Sequence, residues 1–143
     1  MRIKDCFEKG FLRRTKLSDD IVEKEMLNAQ RHLQNANQCI EQKMYDLAIV
    51  SLYTAMFHAA RALLFQDGLK ERGHICLILY IKKEYPELNN YAKILDNYRR
   101  TRHIMLYGID VEMMIDDAVQ GINIAKEFIK AVGKELAKGK KKY

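Results

Sequence analysis

The apolar residues of this chain recur at alternating steps of three and four, and that rhythm constrains the fold more than any other feature. Val22, Met26, Ala29, Leu33, Ala36 and Ile40 step 4-3-4-3-4. Val111, Ile115, Ala118, Ile122, Ala125, Ile129, Val132 and Leu136 keep the same step for more than seven turns. Such spacing puts one continuous apolar stripe on a helix and requires another helix to cover it. A single proline and seven glycines in 143 residues leave long helices uninterrupted. The chain carries no strand pattern, internal repeat or long linker. It therefore reads as one domain over residues 1–143, large enough to bury a core without staples.

Element boundaries follow from capping chemistry. Residues 1–16, with the basic run Arg13, Arg14 and Lys16, form a short N-terminal arm or helix. Ser18 is a good N-cap, with Asp19 and Asp20 in the positive first turn. After a break near Gln42, a second helix covers about residues 45–66 and is apolar on most sides. Ala48, Leu52, Ala55, Ala59 and Ala62 give it a seam of mostly small residues; Ile49, Tyr53, Met56, Ala60 and Leu63 give it another. Gly68 suits the left-handed position that ends it. A third helix runs from about Gly73 to Glu84, stopping before Pro86. A fourth spans Leu88 to Tyr107 and is closed by Gly108, and Asp110 caps the fifth. The expected architecture is all-α, a mainly antiparallel (up-and-down) bundle of four to five helices.

Composition narrows the partners. The net charge of +6 suits a polyanion, although the tail Lys138, Lys140, Lys141 and Lys142 supplies four of the positive charges and reads as a basic, solvated, disordered segment over residues 138–143. Cys6, Cys39 and Cys76 are odd in number and lack CxxC spacing, so neither a disulfide framework nor a zinc site is expected. The N-terminus lacks the apolar run of a signal peptide. No stretch approaches the roughly 18 apolar residues of a membrane span. The expectation is a cytoplasmic protein with no membrane partner.

One seam is broken by a charge. Leu88, Tyr91, Leu95, Tyr98, Arg102, Met105 and Ile109 alternate by three and four, and the fifth is a guanidinium. Burying it unpaired costs several kcal/mol, so it needs a counter-charge, for which Asp116 and Asp117 are the candidates, or a ligand. Beside it stand His103, which titrates near neutrality, and Tyr107. Arg99 and Arg100 raise the local positive potential and are candidate phosphate contacts; alone they would be solvated charges. Asp96, Arg100, His103 and Tyr107 share a stripe, with Tyr107 about 140° around the helix from Arg102. Tyr91 and Tyr98 read as packing.

In the central helix Ser51, Thr54, His58 and Arg61 recur at 3-4-3 and read as a hydrogen-bonded supporting seam in which Arg61 needs a partner. His74, beside Arg72, opens a helix whose free N–H groups favour anions, which makes the pair a candidate phosphate site. Glu71-Arg-Gly-His74 has ExxH spacing, but Gly73 and its loop position spoil it as a metal motif, and the inward carboxylates of a di-metal bundle are lacking. Neither a metal nor a cofactor is expected.

Two segments, Ser51-Leu-Tyr-Thr-Ala-Met-Phe-His-Ala-Ala-Arg-Ala-Leu-Leu-Phe65 followed by Arg72-Gly73-His74, and Arg102-His103-Ile104-Met105-Leu106-Tyr107-Gly108, resemble those of the HEPN domains, small helical bundles. The organisation matches over about residues 17–136. The resemblance implies a homodimer and, in active members, a metal-independent RNase. Their signature is Arg, a polar residue, three variable residues and His. Arg102 and His103 match its first two positions, and Tyr107 stands where the last His belongs. A phenol with an ordinary pKa of about 10 is a poor base, so the reaction is expected to be weak or lost unless His103 takes over. The expected function is RNA or nucleotide-phosphate binding at an Arg-rich dimer cleft, with degenerate endoribonuclease activity. The alternative is a non-catalytic module partnering a nucleotidyltransferase in a toxin–antitoxin-like pair. Some family toxins are modified by such a partner on a Tyr two residues after the signature His; here that position is Ile109.

Overall fold

The structure, a computed structural model, describes residues 1–107 and 114–139, without the side chains of Met105 and Tyr107. Its described elements run α1 (Ile3–Glu8), β1 (Leu12–Arg14), α2 (Asp19–Glu41), α3 (Tyr45–Gln66), β2 (Leu69–Glu71), α4 (His74–Glu84), a 3-10 turn (Pro86–Leu88), α5 (Asn89–Tyr107) and α6 (Ile115–Lys138). The expected stop at Gly108, the cap at Asp110, Val111 at the head of the last seam, Ile109 and the basic residues 140–143 lie outside the described residues. The last described helix is preceded by Met114 in extended conformation, four residues later than an Asp110 cap implies.

Local chemistry explains most boundaries. The Ser18 hydroxyl accepts from the Ile21 N–H at 3.3 Å, with Asp19 and Asp20 in the first turn of α2. α2 and α3 are joined by three residues, a connection that makes them antiparallel neighbours. Gly68 adopts φ +76° after α3. The small-residue seam Ala48, Leu52, Ala55, Ala59 and Ala62 is wholly buried, which lets neighbouring backbones approach. α3 is the hub, packed against α2, α5 and α6. By length and composition alone it is apolar enough to cross a bilayer, with mean hydropathy 1.5, contrary to the expectation that no stretch approaches this. In this fold most of that window is buried as the core helix.

A buried carboxylate ties the far end of α3 to α4. The Tyr80 and Tyr85 hydroxyls donate to Asp67 Oδ2 at 2.8 and 2.6 Å. Burial, followed by Asp67 itself, pushes the Tyr85 hydroxyl far above its ordinary pKa. Tyr85 therefore keeps its proton, and the buried acceptor is satisfied by two donors.

Two features depart from the sequence expectations. β1 and β2 form an antiparallel ribbon with register Leu12↔Glu71, Arg13↔Lys70 and Arg14↔Leu69. Three residues per strand are too few to print an alternating pattern, and the ribbon is fixed by Leu12 and Leu69 packing into the core. Cys6 and Cys76 are paired as a disulfide, with Cα atoms 5.8 Å apart, where free thiols were expected. α1 packs against α4, a tertiary approach that Cys spacing does not encode. Cys39 is the free cysteine.

Candidate functional site

Three helices build a cationic, aromatic centre. Along α3, Tyr53, Phe57 and Arg61 stand four residues apart and share a face. α5 contributes Arg99 and Arg102, three apart. α4 contributes His74, its first residue, held there by Gly73 at φ +112° and ψ 150°, a conformation reserved for glycine. The His74 ring stacks on Phe57 with centroids 4.2 Å apart and lies nearly parallel to Tyr53 at 5.5 Å. A hydrogen bond joins the Tyr53 hydroxyl to His74 Nδ1. The Arg102 guanidinium carbon lies 5.5 Å from the Tyr53 ring centroid.

The electrostatics follow from burial and crowding of cations. His74 is held below its ordinary pKa, first by burial and then by the charges of Arg102, Arg99 and Arg61. Its imidazole is therefore neutral at pH 7. Tyr53, 1% exposed, is pushed far above the usual tyrosine range by burial, against the opposing pull of Arg102 and Arg99. It stays a phenol.

The other expected site residues fall in three groups. Arg99 Nε and Arg100 Nη2 both donate to Asp96, at 3.1 and 3.2 Å. One carboxylate thus orients two guanidinium groups and neutralises half of their charge. His103 is exposed on the next position of α5, and the Tyr107 side chain lies outside the described residues. Arg102 makes no ion pair with Asp116 or Asp117, its expected counter-charges: among the described residues its close partner is the Tyr53 face.

The third group is the α3 seam. Ser51 is half-buried there, and Thr54 Oγ1 donates to the Val50 carbonyl. His58 Nδ1 lies 2.6 Å from Glu25 Oε2, and the His58 ring stacks on His32. Arg61 finds the partner it needs: Nε donates to Glu71 Oε1 at 2.6 Å, with Nη1 3.7 Å from Glu25 Oε1. Its guanidinium carbon also sits 5.4 Å from the Phe65 ring centroid. This network lies beside the His74 centre and reaches it through the charge of Arg61. Arg72, exposed, lines a concavity of about 190 Å³ with Phe11, Gly73, His74 and Ile75. No group of three or more metal-ligating side chains occurs among the described residues.

Sequence reasoning assigned no site role to Tyr53, Phe57 or Glu25. Tyr53 sits in an apolar seam by period, and Glu25 needs the third dimension to meet His58, 33 residues away. One signal was present: two aromatic residues and an Arg at i, i+4 and i+8 of a largely apolar helix.

Comparisons with known proteins bear on the same region. A family model described as the HEPN domain matches residues 22–136, which include α3, α4, α5, most of α2 and α6, and every residue of the centre. A UPF0332 protein of Archaeoglobus fulgidus is 29% identical over 113 residues, covering 77% of this chain and 90% of the relative.

Proposed function

The chain belongs to the HEPN domain family, a nucleotide- or RNA-related module, and from that premise we propose that it is a homodimer that binds RNA through backbone phosphate at Arg102, Arg99 and His74. The observation that carries this reading is the convergence of His74, Tyr53 and Arg102 from three helices, with no described carboxylate opposite Arg102. A guanidinium held on an aromatic face, with no ion pair among the described residues, offers its donors to a ligand, and its fork matches two phosphate oxygens. Arg100 and Arg72 extend the positive field around it.

A slow, metal-independent cleavage fits the same geometry. With His74 Nδ1–H donating to the Tyr53 oxygen, Nε2 keeps its lone pair and takes the proton of the ribose 2′-hydroxyl. That oxygen bonds to phosphorus, and the bond to the 5′-oxygen breaks. The 5′-oxygen leaves with a proton from water, and Arg102 holds the charge on the equatorial oxygens. His74 suits this role because its lowered pKa keeps it neutral at pH 7 and its ring sits beside Tyr53 in the centre.

Exposed apolar side chains support pairing with a second copy. Ile104 and Leu106 on α5 are 48% and 46% exposed, and Met114, Ile115 and Val119 follow at the start of α6. Pairing there would set two Arg102 centres on one cleft. The same side chains favour a second reading, in which they receive a nucleotidyltransferase and the module is non-catalytic.

The test is incubation of mixed-sequence RNA with the protein in EDTA, beside the Arg102→Ala, His103→Ala and His74→Gln variants. Cleavage lost in Arg102→Ala and His74→Gln but kept in His103→Ala supports the proposal. Cleavage lost only in His103→Ala moves the proton transfer to that residue. RNA binding without cleavage, weakened by Arg102→Ala, leaves a binding module.

A further inference from the structure

The two-stranded ribbon carries a charge arrangement that stability does not explain. Directly opposed residues of an antiparallel pair share a face, so the register places Arg13 and Lys70 side by side. Both are exposed. Like charges in that position destabilise a ribbon, and no described carboxylate forms an ion pair with Arg13, Arg14, Lys70 or Arg72. Glu71, the acidic residue of this segment, is committed to Arg61 at 2.6 Å. Arg13 Nε donates to the Gly10 carbonyl at 3.1 Å, which orients the exposed side chain.

The ribbon is also held rigidly. Beyond the paired residues, the Thr15 N–H donates to the Gly68 carbonyl at 2.8 Å and the Arg72 N–H to the Phe11 carbonyl at 2.7 Å. Arg13, Arg14, Thr15, Lys70, Glu71 and Arg72 line a concavity of about 400 Å³. Arg72 lines the smaller concavity beside His74 as well. The two depressions therefore share a wall, and that wall is a cation.

We infer that the β1–β2 ribbon is a second RNA-backbone subsite, in which Arg13, Lys70 and Arg72 hold phosphates of a single strand that continues past Arg72 to the His74–Arg102 centre. The inference rests on the RNA reading above and deepens it: the ligand is an extended strand, not a mononucleotide. Repeated phosphates relieve the Arg13–Lys70 repulsion, and a chain of them spans two adjoining concavities. Aromatic rings are absent from the six residues lining the ribbon concavity, so this subsite reads backbone charge and leaves base stacking aside.

The experiment is fluorescence anisotropy with a labelled mixed-sequence single-stranded RNA, in EDTA, across a salt series. Wild type is compared with the double variant Arg13→Gln/Lys70→Gln and, separately, with Arg102→Met. Each phosphate contact on a single strand contributes about 0.7 to the slope of log affinity against log salt, so the ribbon variant should lose about 1.4. A dinucleotide, with a single internucleotide phosphate, should lose less affinity in the ribbon variant than the long strand does. Relief of repulsion predicts a Tm unchanged or raised, which separates lost binding from lost fold. An unchanged slope in the ribbon variant, with affinity lost in Arg102→Met, overturns the subsite and leaves the central reading intact. A lowered slope in the ribbon variant with Arg102→Met indifferent supports the subsite and overturns the centre. Ribbon-dependent binding of poly-glutamate as tight as that of RNA overturns the assignment to RNA.

Discussion

The Arg102 guanidinium carbon lies 5.5 Å from the centroid of the Tyr53 ring, so the charge that breaks the α5 seam rests on an aromatic face and, among the described residues, pairs with no carboxylate. Such a contact contributes about 0.5–2 kcal/mol depending on exposure. Replacing Arg102 with Met keeps much of the stem and strands no counter-charge among the described residues. Urea denaturation should register a loss of no more than about 2 kcal/mol. A loss of about 3–5 kcal/mol, the cost of breaking a buried ion pair, would contradict this account.

Arg61 provides the contrast. It serves Glu71 at 2.6 Å and Glu25 at 3.7 Å, and Glu71 is nearly buried. Arg61→Met leaves Glu71 without its cation and Glu25 with His58 alone, so the expected loss is about 3–5 kcal/mol. Converting Glu71 to Gln in the Arg61→Met background should recover part of it. Chemical denaturation of the two single variants and the double variant completes the cycle.

Acid should weaken the fold through His74. Its folded pKa is depressed, so below 6.5 the unfolded chain binds a proton that the folded chain refuses. The contribution is full above 6.5 and is lost as pH falls through the folded value. His32 acts with the same sign, lowered by burial, then by Arg31 and His58. Glu71 acts oppositely: burial raises its pKa despite Arg61, so its contribution is present at low pH and is lost as pH rises through the folded value. Urea midpoints from about pH 5 to about pH 7.5 should show a shallower acid decline in His74→Gln than in wild type. Equal declines would remove His74 as a cause.

Two glycines of α6 should answer oppositely to the same substitution. A Cβ on Gly121 would meet Leu52 Cδ1 at 2.6 Å and the Tyr98 hydroxyl at 3.1 Å. Gly121→Ala must therefore push α6 from α3, at a cost of about 1–3 kcal/mol. Gly133 has nothing within 4 Å of its added Cβ. Gly133→Ala should stabilise by up to about 1 kcal/mol through helix propensity. Thermal melts of the two variants, shifted in opposite directions, would check the α3–α6 approach.

Sequence periodicity reached as far as single helices reach. Ser18, Gly68 and the limits of α3 are dictated within one turn of chain, and Arg102 stood out because it breaks a seam. Its partner was out of reach: Tyr53 belongs to another helix, and an aromatic ring in an apolar stripe looks like packing. The His74–Tyr53 bond spans 21 residues and depends on where Gly73 releases α4. The Asp96 pairs lie three and four residues away on the same helix; the stripe placed Asp96 beside Arg100, but neither pair was read from it. The ribbon strands are too short to carry a pattern, and their pairing is imposed by Leu12 and Leu69 entering the core.

The bond between Cys6 and Cys76 closes a covalent ring with a sequence separation of 70 residues. α2 and α3, the two most extensively packed helices, lie inside that ring, while α5 and α6 lie on the open strand beyond it. Tension applied to the two ends would pass through the sulfur bridge and bypass the hub helices. An unfolding machine that pulls from the C-terminus could strip α6, α5 and α4 in turn, then meet a closed loop that it must thread double or reduce. The oxidised protein should therefore yield a stalled N-terminal fragment under such pulling, and the reduced protein none.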